Sequence, residues 1–220
     1  YVNKINILGN NITSEKFIRD QLIVDEGDPF NKILHNKSIN KLKAKNLFSK
    51  VESKIIDTEN PDQKNINITI DEKPTGELMA GAGYGSDGST FSIGVRENNF
   101  KGEGINLNTK LSLTEQTIKG YFEYSHPNFA YSDRSLSTSL ESSVTDKLTD
   151  FGYKSSLNKV SIGTRYEQFE NTFFSPRLSV SSETLDTTST ASAAYKKQEG
   201  SYFDTTFDYA LSYDKRNSAY

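Results

Sequence analysis

Three aspartates, three glycines and two histidines are the residues whose types and spacing invite a chemical reading. Asp204, Asp208 and Asp214 recur at even intervals, which puts them on one face of an extended chain. Two carboxylates do acid–base work when a desolvated pocket drives their pKa values apart. An alternating run that is polar on that face offers no such pocket, so the three read as solvated. Gly81, Gly83 and Gly85 have the composition of a phosphate-cradling loop. That loop must join a strand to a helix and be followed by a lysine or a ribose-binding acid. Here a turn and a second alternating run follow. The glycines instead leave their own strand under-packed and weakly held, or relieve crowding on its inner side. His35 and His126 are the only histidines and fall in differently patterned halves, while a zinc site needs three or four converging ligands. His126 reads as the end of a strand before Pro127. The absence of cysteine removes thiolate nucleophiles, thiolate metal sites and disulfide frameworks. The expectation is a protein that is not an enzyme, with no catalytic residue, no cofactor and no metal site.

With 26 basic and 29 acidic residues the net charge is -3, which argues against a nucleic-acid partner held through its phosphates. Hydrophobic residues make up 34% of the chain and the mean hydropathy is -0.66, values typical of a water-soluble protein. Membrane barrels share them, because their strands show apolar side chains to lipid only at alternate positions. No apolar stretch approaches the length of about twenty residues that a transmembrane helix needs. The opening at Tyr1, without initiator Met or leader, and the close on Asp214-Lys215-Arg216-Asn217-Ser218-Ala219-Tyr220 lead us to expect a fragment.

The elements that would position these residues differ between two regions. In residues 1–74, Val2, Ile5 and Ile7 form a short strand that stops at the turn cluster Gly9-Asn10-Asn11. Thr13 stands where a helix N-cap belongs, ahead of Glu15, Phe17, Ile18 and Leu22, and Gly27-Asp28-Pro29 ends that helix. Ile39, Leu42, Leu47 and Phe48 place an apolar stripe on a second helix. Strands follow over 51–56 and 66–70, the latter alternating as Ile66, Ile68, Ile70. The order is strand, helix, helix, strand, strand.

From residue 75 to 220 period-two alternation takes over. Leu78, Ala80, Ala82 and Tyr84 share a face, as do Phe91, Ile93 and Val95. Leu107 and Leu111, then Phe122 and Tyr124, then Phe207, Tyr209 and Leu211 continue the pattern, with weaker runs over 136–144, 157–166 and 174–180. A soluble antiparallel sheet alternates too. Three details favour lipid: about eight successive strands without a helix, lengths near the 9–11 residues of a tilted membrane strand, and a second face that is polar throughout. Tyr84, Tyr124, Tyr166 and Phe129 would suit an aromatic girdle.

Ordered short motifs along the chain carry a family resemblance. Gly9-Asn10, Thr13, Gly27-Asp28-Pro29-Phe30 and Leu47-Phe48-Ser49-Lys50-Val51, with the join Asp71-Glu72-Lys73-Pro74-Thr75-Gly76, resemble the POTRA repeat adjoining the barrel in BamA-type proteins. Gly81-Ala82-Gly83-Tyr84-Gly85, Asn98-Asn99-Phe100 with Gly102-Glu103-Gly104, and Pro127-Asn128-Phe129 resemble the opening strands of that barrel. Tyr213-Asp214-Lys215-Arg216-Asn217 resembles a later strand end.

The resemblance implies an α+β POTRA module over 1–74, followed over 75–220 by the N-terminal part of an antiparallel transmembrane β-barrel. It implies an assembly factor that inserts outer-membrane proteins, with Leu78, Ala80, Gly81, Ala82, Gly83 and Tyr84 at a seam where client strands pair. Phe91, Ile93, Val95, Leu107, Leu111, Phe122, Tyr124, Phe207, Tyr209 and Leu211 would face lipid. Ile66, Ile68 and Ile70 would form the POTRA edge strand, a docking edge, while Phe30 reads as core. The implied partners are the outer-membrane bilayer, nascent outer-membrane β-barrel proteins and accessory lipoproteins, with the POTRA module in the periplasm. A related pore that secretes a partner polypeptide shares the same plan, and a soluble β-rich binding module is a third reading.

Overall fold

The computed structural model describes residues 1–85 and 88–215, apart from the side chain of Tyr131. Two compact units result: Tyr1–Thr75 together with Asn98–Ile105, and Gly76–Glu97 together with Asn106–Lys215.

The first unit runs β1 (Val2–Leu8), α1 (Glu15–Arg19), α2 (Lys32–Ala44), β2 (Phe48–Asp57) and β3 (Lys64–Glu72). Its sheet has the order β1-β3-β2, with β1 parallel and β2 antiparallel to β3. Ser14, not Thr13, caps α1, its hydroxyl accepting from the Phe17 N–H at 3.2 Å. Thr13 is buried and engaged elsewhere. Asn31 caps α2, accepting from the N–H groups of Ile33 and Leu34. Leu47 and Phe48 do not extend the α2 stripe. The helix ends at Ala44, and Asn46 at φ 56° turns the chain through the left-handed region. Phe48 therefore reaches the core from the start of β2. That core gathers Ile5, Phe17, Ile18, Leu42, Leu47, Phe48, Val51, Ile66, Ile68 and Ile70, with Phe30 packed against it.

β3 is the central strand of this sheet and not an edge, which corrects the expected role of Ile66, Ile68 and Ile70. Each is only 1% exposed. Their alternation signals a strand with one face on the helices, and β1 and β2 occupy its two edges. Alternation reports a buried face, whereas an edge is a matter of neighbours.

The second unit is an antiparallel sheet in the order β11-β10-β9-β8-β7-β6-β5-β4. Its strands are β4 (Gly76–Gly85), β5 (Gly88–Phe100), β6 (Ile105–Thr114), β7 (Thr117–His126), β8 (Ser135–Lys147), β9 (Tyr153–Phe169), β10 (Thr172–Thr187) and β11 (Gly200–Tyr213). Every strand follows its predecessor in space, so each connection is a hairpin. Two single-turn helices interrupt an expectation of strands alone: α3 (Leu148–Phe151) and α4 (Ala193–Lys197) sit in the connections after β8 and β10. Of the motif ending at Asn217, Arg216 and Asn217 lie outside the described residues.

Candidate functional site

The second unit has its polarity inverted relative to a soluble domain. Registers carry one face across the sheet: Leu78 lies opposite Val95, Ala80 opposite Ile93, Leu107 opposite Tyr124, Phe122 opposite Leu140, Leu140 opposite Val160, and Leu178 opposite Phe207. All ten side chains expected to face lipid fall on this face. Leu107 and Tyr124 are half-buried; Phe91, Ile93, Val95, Leu111, Phe122, Phe207, Tyr209 and Leu211 are exposed, Leu211 to 67%.

The opposite face is polar and better covered. Ser139, Ser161 and Ser179 form a cross-strand row, Ser179 being 2% exposed and donating its hydroxyl to Ser161 Oγ at 2.9 Å. Beside this row Lys119 pairs with Glu141 at 2.7 Å. Serines inside and leucines outside cost a water-soluble sheet its main stabilisation, because burial of apolar surface drives folding in water. A contiguous apolar face spanning eight strands marks a surface built for an apolar surrounding.

β4 is one border of this sheet. Among the described residues it pairs only with β5, from Gly76 opposite Glu97 to Gly85 opposite Gly88. Every second residue of such a strand turns its N–H and C=O toward the unpaired side. Side chains hold it weakly: Leu78 is 84% and Tyr84 86% exposed, and a Cβ built on Gly83 or Gly85 would meet nothing within 4 Å. At Gly81 the nearest atom is the Ser92 hydroxyl at 3.0 Å. Crowding explains none of the space at Gly83 and Gly85, so the under-packed alternative fits those two positions. The residues expected at a seam thus lie on a border strand with few side-chain contacts. Among the described residues the next element after β4 is β5 and not a helix, unlike the strand-to-helix junction of a phosphate loop.

The other tempting residues stay apart. Asp204 and Asp208 lie on the exposed polar side of β11, and Asp214 follows the strand. His126 ends β7 between the rings of Tyr124 and Phe129. His35 is buried in the first unit, where its Nε2 meets Ser53 Oγ at 3.0 Å and burial holds the imidazole below its usual range.

The two borders of the first unit's sheet differ. The outer side of β1 is covered: Val2 exchanges backbone hydrogen bonds with Gly27 and Asp28, the Ile5 N–H reaches Glu26 at 2.9 Å, and Arg19 donates to the Ile5 carbonyl. No comparable cover is seen along β2 among the described residues. β2 is therefore the open edge that sequence periodicity placed at β3.

Sequence reasoning missed a clasp within this unit. The Asn99 amide donates to Thr13 Oγ1 and its carbonyl oxygen accepts from the Gly104 N–H, each at 2.9 Å. The Ser14 N–H donates to the Gly102 carbonyl at 2.9 Å. Glu72 accepts the backbone N–H groups of Asn11, Ile12 and Thr13. Burial would raise the Glu72 pKa, but the Thr13 hydroxyl and these N–H groups outweigh it and hold the carboxyl below its usual range. The glycines of the 98–105 turn were visible in the sequence, but nothing there named Thr13 as their partner.

Two family models match the chain. Residues 1–73 match the POTRA model, described as a surface antigen variable number repeat, and residues 99–220 match the Omp85 superfamily domain. This chain belongs to the Omp85 superfamily. Among curated Omp85 relatives, the outer membrane protein assembly factor BamA of Neisseria meningitidis serogroup B is 29% identical over 138 residues, 62% of this chain and 17% of that protein. The BamA of Buchnera aphidicola is 32% identical over 142 residues, 62% of this chain and 22% of that protein. The chain thus spans about a fifth of these relatives' length. Among solved structures, BamA from Haemophilus ducreyi lacking POTRA domains 1-3 matches with a TM-score of 0.77 at 22% identity, covering 99% of this chain and 44% of that one. CdiB from Escherichia coli matches with a TM-score of 0.60 at 12% identity, covering 96% and 41%. These likenesses show the fold: a POTRA module followed by an eight-stranded portion of the Omp85 barrel sheet.

Proposed function

We propose that this chain is part of a non-enzymatic outer-membrane assembly factor, in which β4 is the template strand for clients and the first unit lies in the periplasm. The observation that carries the reading is an open, weakly packed strand at the border of a sheet whose exposed face is apolar. Unpaired backbone groups in hydrocarbon cost several kcal/mol each, so such an edge gains strongly from an incoming strand. Backbone pairing is indifferent to side-chain identity, which suits a factor that serves many clients. Leu78, Ala80, Ala82 and Tyr84 then face lipid beside the new strand, and no nucleotide is consumed. The open edge of β2 is the place for periplasmic segments or accessory lipoproteins to add a strand. The closer structural likeness to BamA than to CdiB favours this reading over a pore dedicated to one partner polypeptide.

The test is disulfide capture in the full-length protein. Cysteine at Ala80 or Ala82 should trap a stalled client carrying a cysteine in its last strand, whereas cysteine at Leu178, within the sheet, should not. Equal capture at all three positions would remove β4 as the template.

A further inference from the structure

The apolar face ends, on the side where β4 begins, in a row of aromatic rings. Tyr166 of β9 meets Phe174 of β10 edge to face at 5.9 Å, and Phe174 meets Tyr209 of β11 at 6.3 Å. At the end of β7 the rings of Tyr124 and His126, with Phe129 of the following turn, form a second group. Between the two stands the cation of Arg134. Arg134 precedes β8, where the pairing of Ser135 with Arg165 carries it opposite Tyr166, and its guanidinium lies over the Tyr166 ring, 5.2 Å from the centroid.

The backbone of Arg134 is fixed. Its carbonyl accepts from the Phe129 N–H at 2.9 Å, its N–H donates to Ser132 Oγ at 3.3 Å, and Ser132 Oγ donates to the Phe129 carbonyl. The guanidinium is exposed and makes no ion pair with a carboxylate among the described residues, adjacent Asp133 included. A guanidinium over a ring face leaves N–H donors that can reach a group beside the ring. Its position at the border of an apolar face is where lipid acyl chains give way to headgroups.

We propose that Arg134, seated on Tyr166, binds the phosphate of a membrane phospholipid whose acyl chains lie along the apolar face. A bidentate guanidinium–phosphate contact supplies the charge complementarity. The Tyr166, Phe174 and Tyr209 rings hold the glycerol level, as aromatic belts do. Such a lipid would fix the depth of the sheet at this end. The inference rests on the proposed membrane placement of that face.

The experiment uses the full-length protein in nanodiscs that offer phospholipid and a galactolipid of identical acyl chains, with retained lipids counted by native mass spectrometry. The native protein should prefer phospholipid. Arg134→Gln should reduce that preference by about fivefold, the factor one interfacial basic side chain is worth, and Arg134→Lys should keep part of it. Spin labels at Leu111 and Phe207 report in parallel whether the face is in lipid. Labels in lipid with a preference unchanged in Arg134→Gln overturn this inference alone, while labels quenched only from water overturn the membrane placement with it. Displacement of the retained phospholipid by millimolar inorganic phosphate would show a small-anion site and overturn the lipid assignment.

Discussion

Asn99 and Thr13 meet through a 2.9 Å hydrogen bond across 86 positions of sequence, and both are buried. Thr13 passes the interaction on, its hydroxyl bonding to the Glu72 carboxylate. Replacing Asn99 with Ala strands the Thr13 and Gly104 groups it satisfies. The expected cost is about 1–3 kcal/mol, since an unmet buried polar group loses its full desolvation energy. Hydrogen exchange at the amides of Ile66, Ile68 and Ile70 in the full-length protein measures it. Unchanged protection would mean the first unit stands without the clasp.

The glycines separate into two groups by what surrounds them. A Cβ on Gly104, at φ 64°, would lie 2.3 Å from the Phe17 ring, and one on Gly102, at φ 72°, 2.1 Å from the Ile12 carbonyl oxygen. Alanine at either position should destabilise the first unit by at least about 1–3 kcal/mol, from backbone strain joined to overlap. Gly83→Ala meets open space and should change stability by less than about 0.5 kcal/mol in either direction. Denaturation monitored separately in the two units distinguishes these outcomes.

Acid should erode the first unit in two stages. Burial depresses the His35 pKa below its ordinary 6.5, so the unfolded chain takes up a proton that the folded chain refuses. Stability from this source is complete above about 6.5 and falls as pH drops toward the folded value. Glu26, bonded to the Ile5 N–H and Arg19, and Glu72 both lie below the ordinary 4.5. Their contribution is present above that value and is lost as pH falls through their folded values. His35→Gln should abolish the first stage and leave the second. A pH series of unfolding midpoints in which His35→Gln behaves like the native protein would remove His35 from the account.

Membrane facing predicts a split between alternate residues. Labels at Leu107, Leu111, Phe207 and Leu211 should be reached by a lipid-soluble quencher, and labels at Asn108, Lys110, Thr206 and Asp208 by a water-soluble one. Phe207→Arg, near the middle of β11, should cost the full barrel about 2–4 kcal/mol, and Leu211→Arg, beside the aromatic row, only about 0–1 kcal/mol. Equal quenching of both sets is the result that sinks the membrane reading.

Period-two patterning made the eight strands and their apolar face legible, because each register keeps every alternate side chain on one side. The same rule misplaced the edge in the first unit. Ile66, Ile68 and Ile70 report a buried face, but strand order depends on β1 returning to pair with β3, which no local pattern encodes. Thr13 has the composition of a cap and lies one residue before the actual one, since Ser14 caps α1 and frees Thr13 for Asn99. Leu47 and Phe48 continue the α2 spacing by coincidence, and the reversal at Asn46 changes the element that carries them. Arg134 was not singled out at all, since its significance comes from a ring on another strand.

The parallel pairing of β1 with β3 also bears on the order in which the chain can fold. Val2 lies opposite Lys64, so β1 has no partner within its sheet until some sixty further residues have emerged. Closing so long a loop costs entropy before any contact repays it, whereas β2 and β3 can pair locally as a hairpin. A chain emerging N-terminus first therefore exposes Val2–Leu8 as an unpaired β segment throughout the synthesis of α1, α2 and β2. The shorter loop makes the β2–β3 hairpin with α2 the expected nucleus, with β1 joining last. Of the three strands of this unit, the one that appears earliest is the latest to become safe from aggregation.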